Sequence, residues 1–321
     1  MNTTENGTEG TAGGTGKGHP AAGFRSGFVS ISGLPNVGKS TLLNALLGAR
    51  LSIVSPKPQT TRSVIKGILN VPGCQAVFVD TPGMLSPRNL FEKTMRGAIR
   101  KAVSEDSDLA LLVVEPGLPP EDKLAFFRQL EGVSAPVYLV VNKIDLARGP
   151  RAGEADRAAA YFSSILPVRR TFRISAISSE GVSELRREIL AAMPEHPPYY
   201  PVDQVTDRWE RFYAAEVIRE RIFALFSDEV PYASAVEIEM FRETAGLPDH
   251  ILAAVHVSRP AHKPIIIGKG GRMIKKLREG SEKALTSFLG RPVKVELRVK
   301  VTPDWQNDPD FLREIGLREA K

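Results

Sequence analysis

Gly33-Leu34-Pro35-Asn36-Val37-Gly38-Lys39-Ser40 has the spacing G-x-x-x-x-G-K-S of a phosphate-binding loop, or P-loop. The residues before it, Phe28–Ser32, alternate as a strand does, and the residues after it, Thr41–Leu47, are rich in helix formers. A glycine loop between a strand and a helix points backbone N–H groups at an anion. We therefore expect Lys39 to reach the β- and γ-phosphates of a nucleotide, and the Ser40 hydroxyl to take a position on Mg²⁺.

The composition limits the classes of protein that this chain can belong to. Its 321 residues are enough for two domains with separate cores. The net charge of +6 is modest, so any surface for nucleic acid must be local. The single cysteine, Cys74, excludes an internal disulfide and indicates a reducing, cytoplasmic setting. No apolar run approaches the ~20 residues of a membrane span, and the N-terminus lacks the apolar core of a signal peptide.

Strand and helix patterns alternate from Phe28 to about Met193, which predicts an α/β fold with a doubly wound, mostly parallel sheet. The predicted strands are Phe28–Ser32, Val64–Asn70, Ala76–Asp80, Leu109–Val114, Val137–Val141 and Thr171–Ser175. The predicted helices lie near residues 89–106, 121–131, 154–165 and 182–192. In such a fold the ligand binds at the carboxyl ends of the strands.

Three further motifs follow the ends of predicted strands. Asp80-Thr81-Pro82-Gly83 offers a carboxylate that can hold Mg²⁺ through water and a Gly83 N–H for the γ-phosphate. Asn142-Lys143-Ile144-Asp145 offers a carboxylate that can accept from both N1–H and the 2-amino group of guanine, which adenine cannot supply. Ser175-Ala176 offers a backbone N–H to the guanine O6. Each motif alone is equally compatible with an Asx turn, but the four in this order predict a guanine-nucleotide site.

A threonine between the P-loop and Asp80 is needed to sense the γ-phosphate through Mg²⁺. The segment Pro58-Gln59-Thr60-Thr61-Arg62 supplies it, with Thr61 preferred over Thr60. The alternative interpretation of this segment is a capped loop whose threonine hydroxyls have no role in nucleotide binding.

The residue after Gly83 is Met84, whose apolar side chain cannot orient water as glutamine does in Ras-like enzymes. Hydrolysis is therefore expected to need a further group, and the amide oxygen of Asn36 can help to hold a K⁺ ion near the phosphates. Asn36 is equally well explained as a loop residue with an unusual backbone angle. The predicted catalytic residues are Asn36, Lys39, Thr61 and Gly83.

The second half of the chain predicts a smaller α+β domain after a Pro-rich linker near residues 194–205. An amphipathic helix is expected over Arg208–Phe226, with the charged side chains on its outer face. Two strands (233–241 and 251–258), two helices (271–279 and 281–289) and the alternating strand Val293–Val301 follow. The order α-β-β-α-α-β around Gly268-Lys269-Gly270-Gly271 is typical of a type II KH domain.

The G-x-x-G loop of such a domain allows a nucleic-acid backbone to approach closely, because it carries no bulky side chains. Basic residues surround it, with no acidic residue between Arg259 and Glu279. A glycine turn that caps a helix beside a solvated basic face is the alternative interpretation. The predicted RNA-binding residues are Ile267, Gly268, Lys269, Gly270, Gly271, Arg272, Lys275 and Lys276.

The patterns G-x-P-N-V-G-K-S-T-L-x-N, P-Q-T-T-R, D-T-P-G and N-K-I-D together resemble those of the translation-factor-related GTPases. One P-loop domain followed by one KH domain narrows the resemblance to the Era family, over nearly all of residues 26–318. The chain departs from that family at Leu34, where an arginine is usual, and at Pro264, where a glycine is common.

The resemblance implies a slow GTPase that binds 16S rRNA near its 3′ end and assists assembly of the 30S ribosomal subunit. It implies Mg²⁺ on Ser40 and Thr61, with Asp80 acting through water. A monomeric, cytoplasmic protein is expected, and the basic KH face permits peripheral association with the inner membrane. The competing hypothesis is a membrane-associated signalling GTPase whose KH module binds a protein or a lipid. The expected GTP-binding residues are Gly33, Leu34, Pro35, Asn36, Val37, Gly38, Lys39, Ser40, Thr41, Asp80, Thr81, Pro82, Gly83, Met84, Asn142, Lys143, Asp145, Ser175 and Ala176.

The predicted domain boundaries follow from these patterns. They are a disordered tail over residues 1–25, a G domain over 26–196, a linker over 197–206, a KH domain over 207–303 and a C-terminal tail over 304–321. With GTP bound, the two domains are expected to expose the RNA groove, and hydrolysis is expected to favour release.

Overall fold

The computed structural model describes residues 23–52, 54, 65–80, 89–94, 107–128, 134–206 and 210–316. The predicted tail up to residue 22 lies outside these ranges. The predicted site residues Thr60, Thr61, Thr81, Pro82, Gly83 and Met84 also lie outside them.

The first domain is built on a six-stranded sheet with the strand order β2-β3-β1-β4-β5-β6. All neighbouring strands are parallel except β2 and β3, so the prediction of a mostly parallel sheet is confirmed. The strands are β1 (Arg25–Ser32), β2 (Ile65–Val71), β3 (Cys74–Asp80), β4 (Leu109–Val114), β5 (Val137–Val141) and β6 (Val168–Arg173). The helices described in this domain are α1 (Lys39–Leu47), α2 (Leu124–Arg128), α3 (Glu154–Ile165) and α4 (Val182–Ala192), and residues 90–94 are also helical.

Helices cover both faces of this sheet, which is why β4 and β5 are buried along their whole length. Side chains such as Leu111 of β4 pack in one core with α1 and α4. The alternate side chains, such as Leu112, pack in a second core with α2 and α3. The doubly wound arrangement leaves the carboxyl ends of β1, β4 and β5 side by side.

The predicted linker is held against the first domain. Residue 205 accepts a backbone hydrogen bond from Ile68 of β2 at 2.9 Å, and Thr206 forms a bridge with Gly67. The carboxamide of Gln75, which is fully buried, accepts hydrogen bonds from the backbone N–H groups of Tyr199 and Tyr200 at 2.8 and 3.0 Å. The bonds of residues 205 and 206 satisfy backbone groups at the open edge of β2, and the Gln75 bonds fix the segment beside β3. The proline content of the segment alone did not indicate this.

The second domain contains a three-stranded sheet of order β7-β8-β9, in which β7 and β8 are antiparallel and β8 and β9 parallel. Helices α5 and α7 pack on one face of it and form a single apolar core. The elements are α5 (Glu210–Leu225), β7 (Ser234–Arg242), β8 (Asp249–Val257), α6 (His262–Ile267), α7 (Arg272–Leu289), β9 (Val293–Val301) and α8 (Pro309–Glu314). The predicted order α-β-β-α-α-β is present up to β9.

The two helices predicted at 271–279 and 281–289 are wrong as to their bounds. A short helix, α6, precedes the glycine loop, and a single helix, α7, follows it without a break at Gly280. A Cβ at Gly280 would make only an ordinary contact, 3.6 Å from Cδ of Arg221 on α5. The next residue, Ser281, is buried, and its hydroxyl is satisfied within the helix by donating to the carbonyl oxygen of Leu277.

The prediction of a charged, solvent-facing side on α5 is also wrong. Glu216, Arg219 and Glu220 are buried, each less than a tenth exposed. Arg219 donates from Nε to Glu216 at 2.8 Å, and Glu220 accepts from Arg50 of the first domain at 2.5 Å. This side of the helix therefore meets the first domain at Glu220, while Glu216 and Arg219 neutralise each other.

Candidate functional site

The P-loop joins β1 to α1, and two of its glycines are required by close neighbours. A Cβ on Gly33 would lie 2.3 Å from the carbonyl oxygen of Val113, and one on Gly38 would lie 2.3 Å from Nδ2 of Asn142. Gly38 also has a φ of 95°, in the region that favours glycine, and it stands at the N-cap of α1. The loop is therefore shaped by contacts with the ends of β4 and β5, and it presents the helix N-terminus to a ligand.

Lys39 is the cation of this loop. It is buried, and its Nζ donates to the carbonyl oxygens of Gly33 at 3.1 Å and Leu34 at 2.9 Å. Burial lowers the pKa of Lys39 to about 8, and the nearby carboxylate of Asp80 partly offsets this. A buried ammonium group beside a helix N-terminus is suited to an anion such as a phosphate.

Asp80 ends β3 beneath the P-loop and is fully buried. Its Oδ2 accepts from the hydroxyls of Ser40 at 2.8 Å and Ser52 at 3.2 Å. Burial raises the pKa of Asp80, although the charge of Lys39 and the two hydroxyl donors act in the opposite direction. Its Oδ1 is buried and has no hydrogen-bond partner within the described parts of the chain. A carboxylate oxygen of this kind, beside a serine hydroxyl, suits a hard cation or its bound water.

Asn142 connects the three loops of the predicted site. Its Nδ2 donates to the carbonyl oxygen of Val37 at 2.9 Å, and its Oδ1 accepts from the backbone N–H of Ala176 at 2.9 Å. Lys143 donates from Nζ to the carbonyl oxygen of Asn36 at 2.6 Å. Asn36 has a φ of 66°, which agrees with the interpretation of this residue as a loop position with an unusual backbone angle.

The groups predicted to contact the base lie on the same edge of the sheet. Asp145 has a buried Oδ1 that makes no hydrogen bond within the described residues. The backbone N–H of Ser175 donates to Glu180 at 3.0 Å, and that of Ala176 donates to Asn142. The amide of Ile177 follows directly, and its side chain is 81% exposed. The contact to a guanine O6 that was predicted for Ser175 or Ala176 therefore competes with hydrogen bonds inside the protein.

The glycine loop of the KH domain connects α6 to α7. Gly268, Gly270 and Gly271 all have positive φ values, a backbone conformation that favours glycine. Pro264 lies in the first turn of α6, where its missing N–H has no helical partner, and its carbonyl oxygen accepts from the Gly268 N–H at 2.8 Å. Four cations that follow this loop or belong to it are exposed, namely Lys269, Arg272, Lys275 and Lys276.

A groove of about 480 Å³ lies between the first half of α7 and the edge strand β9. Lys275, which was predicted from the sequence, contributes to its wall. The other residues of the groove are not among the RNA-binding residues predicted from the sequence. The alternation along β9 predicts that Lys294 and Glu296 lie on an exposed face. Only the folded structure shows that β9 pairs with β8 at the edge of the sheet and borders α7. The lining residues are His250, Ile274, Lys275, Arg278, Glu282, Lys294, Val295, Glu296 and Leu297.

Two family models match the chain in the order of its domains. The model described as "50S ribosome-binding GTPase" matches residues 28–143, and the model described as "KH domain" matches residues 229–306. No group of three or more potential metal-ligating side chains occurs among the residues that the structure describes. Over the same ranges, every helix is too short or too polar to cross a membrane.

Curated relatives cover almost the whole chain. The GTPase Era of Geobacter metallireducens is 46% identical over 296 residues, which are 91% of this chain and 98% of that protein. The GTPase Era of Elusimicrobium minutum is 41% identical over 294 residues, 91% of this chain and 97% of that protein.

Solved structures agree with this similarity. The chain is similar to a variant of Aquifex aeolicus Era bound to GDP and AlF4⁻, with a TM-score of 0.86, 35% identity and coverage of 92% of this chain and 100% of the other. It is also similar to Era in complex with MgGDPNP and nucleotides 1506–1542 of 16S ribosomal RNA. That similarity has a TM-score of 0.85, 36% identity and coverage of 92% and 99%.

Proposed function

The chain belongs to the Era family of GTPases, and from this premise we propose that it binds 16S rRNA near its 3′ end and assists assembly of the 30S subunit. The observation that carries the RNA part of the proposal is the groove between α7 and β9. Its lining starts at Ile274, three residues after the Gly268–Gly271 loop, and includes Lys275, Arg278 and Lys294. Exposed cations beside a loop of glycines can contact phosphates, while a groove of this size accepts unstacked bases.

We assign the P-loop and the motifs around Asn142 to the guanine nucleotide. Backbone N–H groups at the start of α1 and the ammonium of Lys39 would bind the phosphates, and Asp145 would accept from the base. Ser40 and Thr61 would hold Mg²⁺, and Asp80 would bind it through water; the orphaned, buried Oδ1 of Asp80 fits this role. When bound, Mg²⁺ neutralises charge on the β- and γ-phosphates. The protein residues would orient the phosphates for attack by water.

We retain the proposal that Asn36 helps to bind K⁺, because its side chain is exposed at the P-loop. Replacing K⁺ by Na⁺ at constant ionic strength is expected to slow GTP hydrolysis about 10- to 100-fold, as for other groups that stabilise developing charge. Phosphate release under single-turnover conditions measures this. An unchanged rate would remove the K⁺ role and leave Asn36 as a loop residue with a left-handed backbone.

Crosslinking in cells followed by sequencing of the bound RNA tests the proposed partner. Enrichment of the 3′ end of 16S rRNA is the expected result. Scattered reads together with recovery in the membrane fraction would favour the competing hypothesis, in which the basic KH face meets anionic lipid headgroups or a protein. Peripheral membrane association is compatible with the exposed cations around Lys269, which can approach a negatively charged surface.

Contacts between the domains support control of the RNA groove by the nucleotide. Arg50 binds the buried Glu220 of α5, and two residues later Ser52 donates to Asp80. Beyond the segment 81–88, the Leu90 N–H donates to Asn307 at 3.1 Å. The Phe91 and Trp305 rings lie 5.6 Å apart in the same region. Both segments that flank the predicted phosphate-sensing loops therefore contact the KH domain and its C-terminal extension.

Removal of the two polar contacts is expected to uncouple the sites. In the unmodified chain, GDPNP should tighten binding of the rRNA segment about tenfold relative to GDP. In the double variant Arg50→Ala with Asn307→Ala the ratio should fall to about threefold or less, because the domains no longer share these bonds. Fluorescence anisotropy of the labelled RNA measures the ratio, and Arg157→Ala on α3 is the matched control. If the double variant kept the full ratio, these contacts would not transmit the nucleotide state.

A further inference from the structure

We propose that Glu115, which belongs to none of the nucleotide-binding motifs, is a positioning residue for the guanine base. The inference rests on the proposed assignment of Asn142–Asp145 to that base. Glu115 is the first residue after β4, and its Oε1 forms an ion pair with Nζ of Lys143. The same Nζ donates to the carbonyl oxygen of Asn36 in the P-loop. The ammonium group of Lys143 is thus held between the P-loop and the loop after β4.

The sheet brings Glu115 to this place. Val114 of β4 pairs with Val141 of β5 in parallel register, and the Asn142 N–H donates to the Val114 carbonyl oxygen at 2.8 Å. The residues that follow, Glu115 and Lys143, leave the same edge of the sheet together. Carboxyl ends of adjacent parallel strands are where ligands bind in this class of fold.

The ion pair stabilises an unusual backbone conformation at Lys143. Lys143 has a φ of 63°, a left-handed conformation that costs energy in a residue other than glycine. It directly precedes the short helical turn Ile144–Leu146, which carries Asp145. Two contacts on the lysine head, one from each side, hold this turn and therefore the direction in which the Asp145 carboxylate faces the base.

The charges predict which rate constant changes. The Lys143 and Glu115 side chains are 32% and 46% exposed, so their attraction is partly screened and its effect is limited. Replacement of the carboxylate by an amide leaves the site one charge more positive, which does not slow the approach of an anion. Loss of positioning instead weakens the bound state, so the change appears in dissociation.

The test is the rate of dissociation of fluorescently labelled GDP and GTP from the full chain. Glu115→Gln is expected to raise both dissociation rates about three- to tenfold, with the association rates and the turnover at saturating GTP unchanged. Glu115→Asp should recover part of the loss. Glu121→Gln, an exposed acidic residue on the same connection, is the matched control and should leave all rates unchanged.

A cycle with Lys143→Met separates positioning from a general loss of stability. In the Lys143→Met background, Glu115→Gln should have no additional effect on dissociation, since the two residues act through one ion pair. Unchanged dissociation in Glu115→Gln, with Asp145→Asn still impaired, would overturn the positioning role and leave the nucleotide site intact. If neither variant changed nucleotide binding, the assignment of the base site itself would fail.

Discussion

Asp145→Asn is expected to lower the affinity for GTP about 10²–10⁴-fold, because it removes a carboxylate that accepts two hydrogen bonds from guanine. One oxygen of that carboxylate, Oδ1, is buried without a hydrogen-bond partner in the described part of the chain, so an incoming N–H group would satisfy it. An asparagine can accept from N1–H only once, and its amide would face the 2-amino group, donor against donor. Xanthine has an oxygen at that position and accepts from the amide. Binding of xanthosine triphosphate should therefore rise as binding of GTP falls.

Competition between the two triphosphates for a labelled nucleotide measures this exchange of preference. Asp122→Asn, which neutralises an exposed carboxylate elsewhere in the same domain, is the matched control and should bind GTP normally. Preservation of the fold is checked by thermal unfolding. An unchanged ratio of GTP to xanthosine triphosphate affinity would show that Asp145 does not contact the base, whatever the effect on absolute affinity.

Lys269→Glu combined with Arg272→Glu is expected to weaken binding of the 16S rRNA segment by about 100-fold. Both side chains are exposed on the glycine loop or at the start of α7, where a phosphate backbone can approach. Two cations that attract phosphate become two anions that repel it. The slope of log K against log salt should therefore become less steep by about 1.4 for single-stranded RNA. The affinity for GTP should be unchanged, since neither residue belongs to the nucleotide-binding domain.

Arg169→Glu combined with Arg187→Glu makes the same change in net charge on exposed residues of the first domain. This control should retain most of the RNA affinity, which distinguishes a local surface from a general effect of charge. RNA titrations at several salt concentrations compare the two double variants. If both retained RNA equally well, the basic KH surface would not be the binding site.

Local patterns predicted the nucleotide-binding loop well because its chemistry is carried by consecutive residues. The P-loop, the helix α1 that follows it, Asp80 and the segments at Asn142 and Ser175 lie at the carboxyl edge of the sheet, as the sequence predicts, whereas residues 81–83 of the Asp80 motif are outside the described ranges. Helix bounds were correct for α3 and α4, each of which starts after a glycine at its N-cap. The glycine before each helix affects only the first helical turn, so the start of the helix can be predicted without knowing any distant contact.

The errors share a different cause. Gly280 looks like a helix end in the sequence, but α7 continues through it because Leu277 and Leu285, on either side, are buried in the KH core. Glu216, Arg219 and Glu220 look like a solvated face, but all three are buried: Glu220 binds Arg50 of the first domain, and Glu216 and Arg219 form an ion pair. In both cases contacts with residues distant in sequence overrode the structure that the local pattern favours, as tertiary packing often overrides helix propensity.

From the sequence alone follow the class of each domain, their order and the location of the P-loop, since these depend on spacing and backbone freedom within short segments. Three contacts required the folded chain: Glu115 reaches Lys143, Arg50 meets the buried Glu220, and β9 forms one wall of the groove. Each of these contacts joins segments that the sheet register or the packing of domains brings together. Their partners are separated by many residues, so no periodicity along the chain could have marked them.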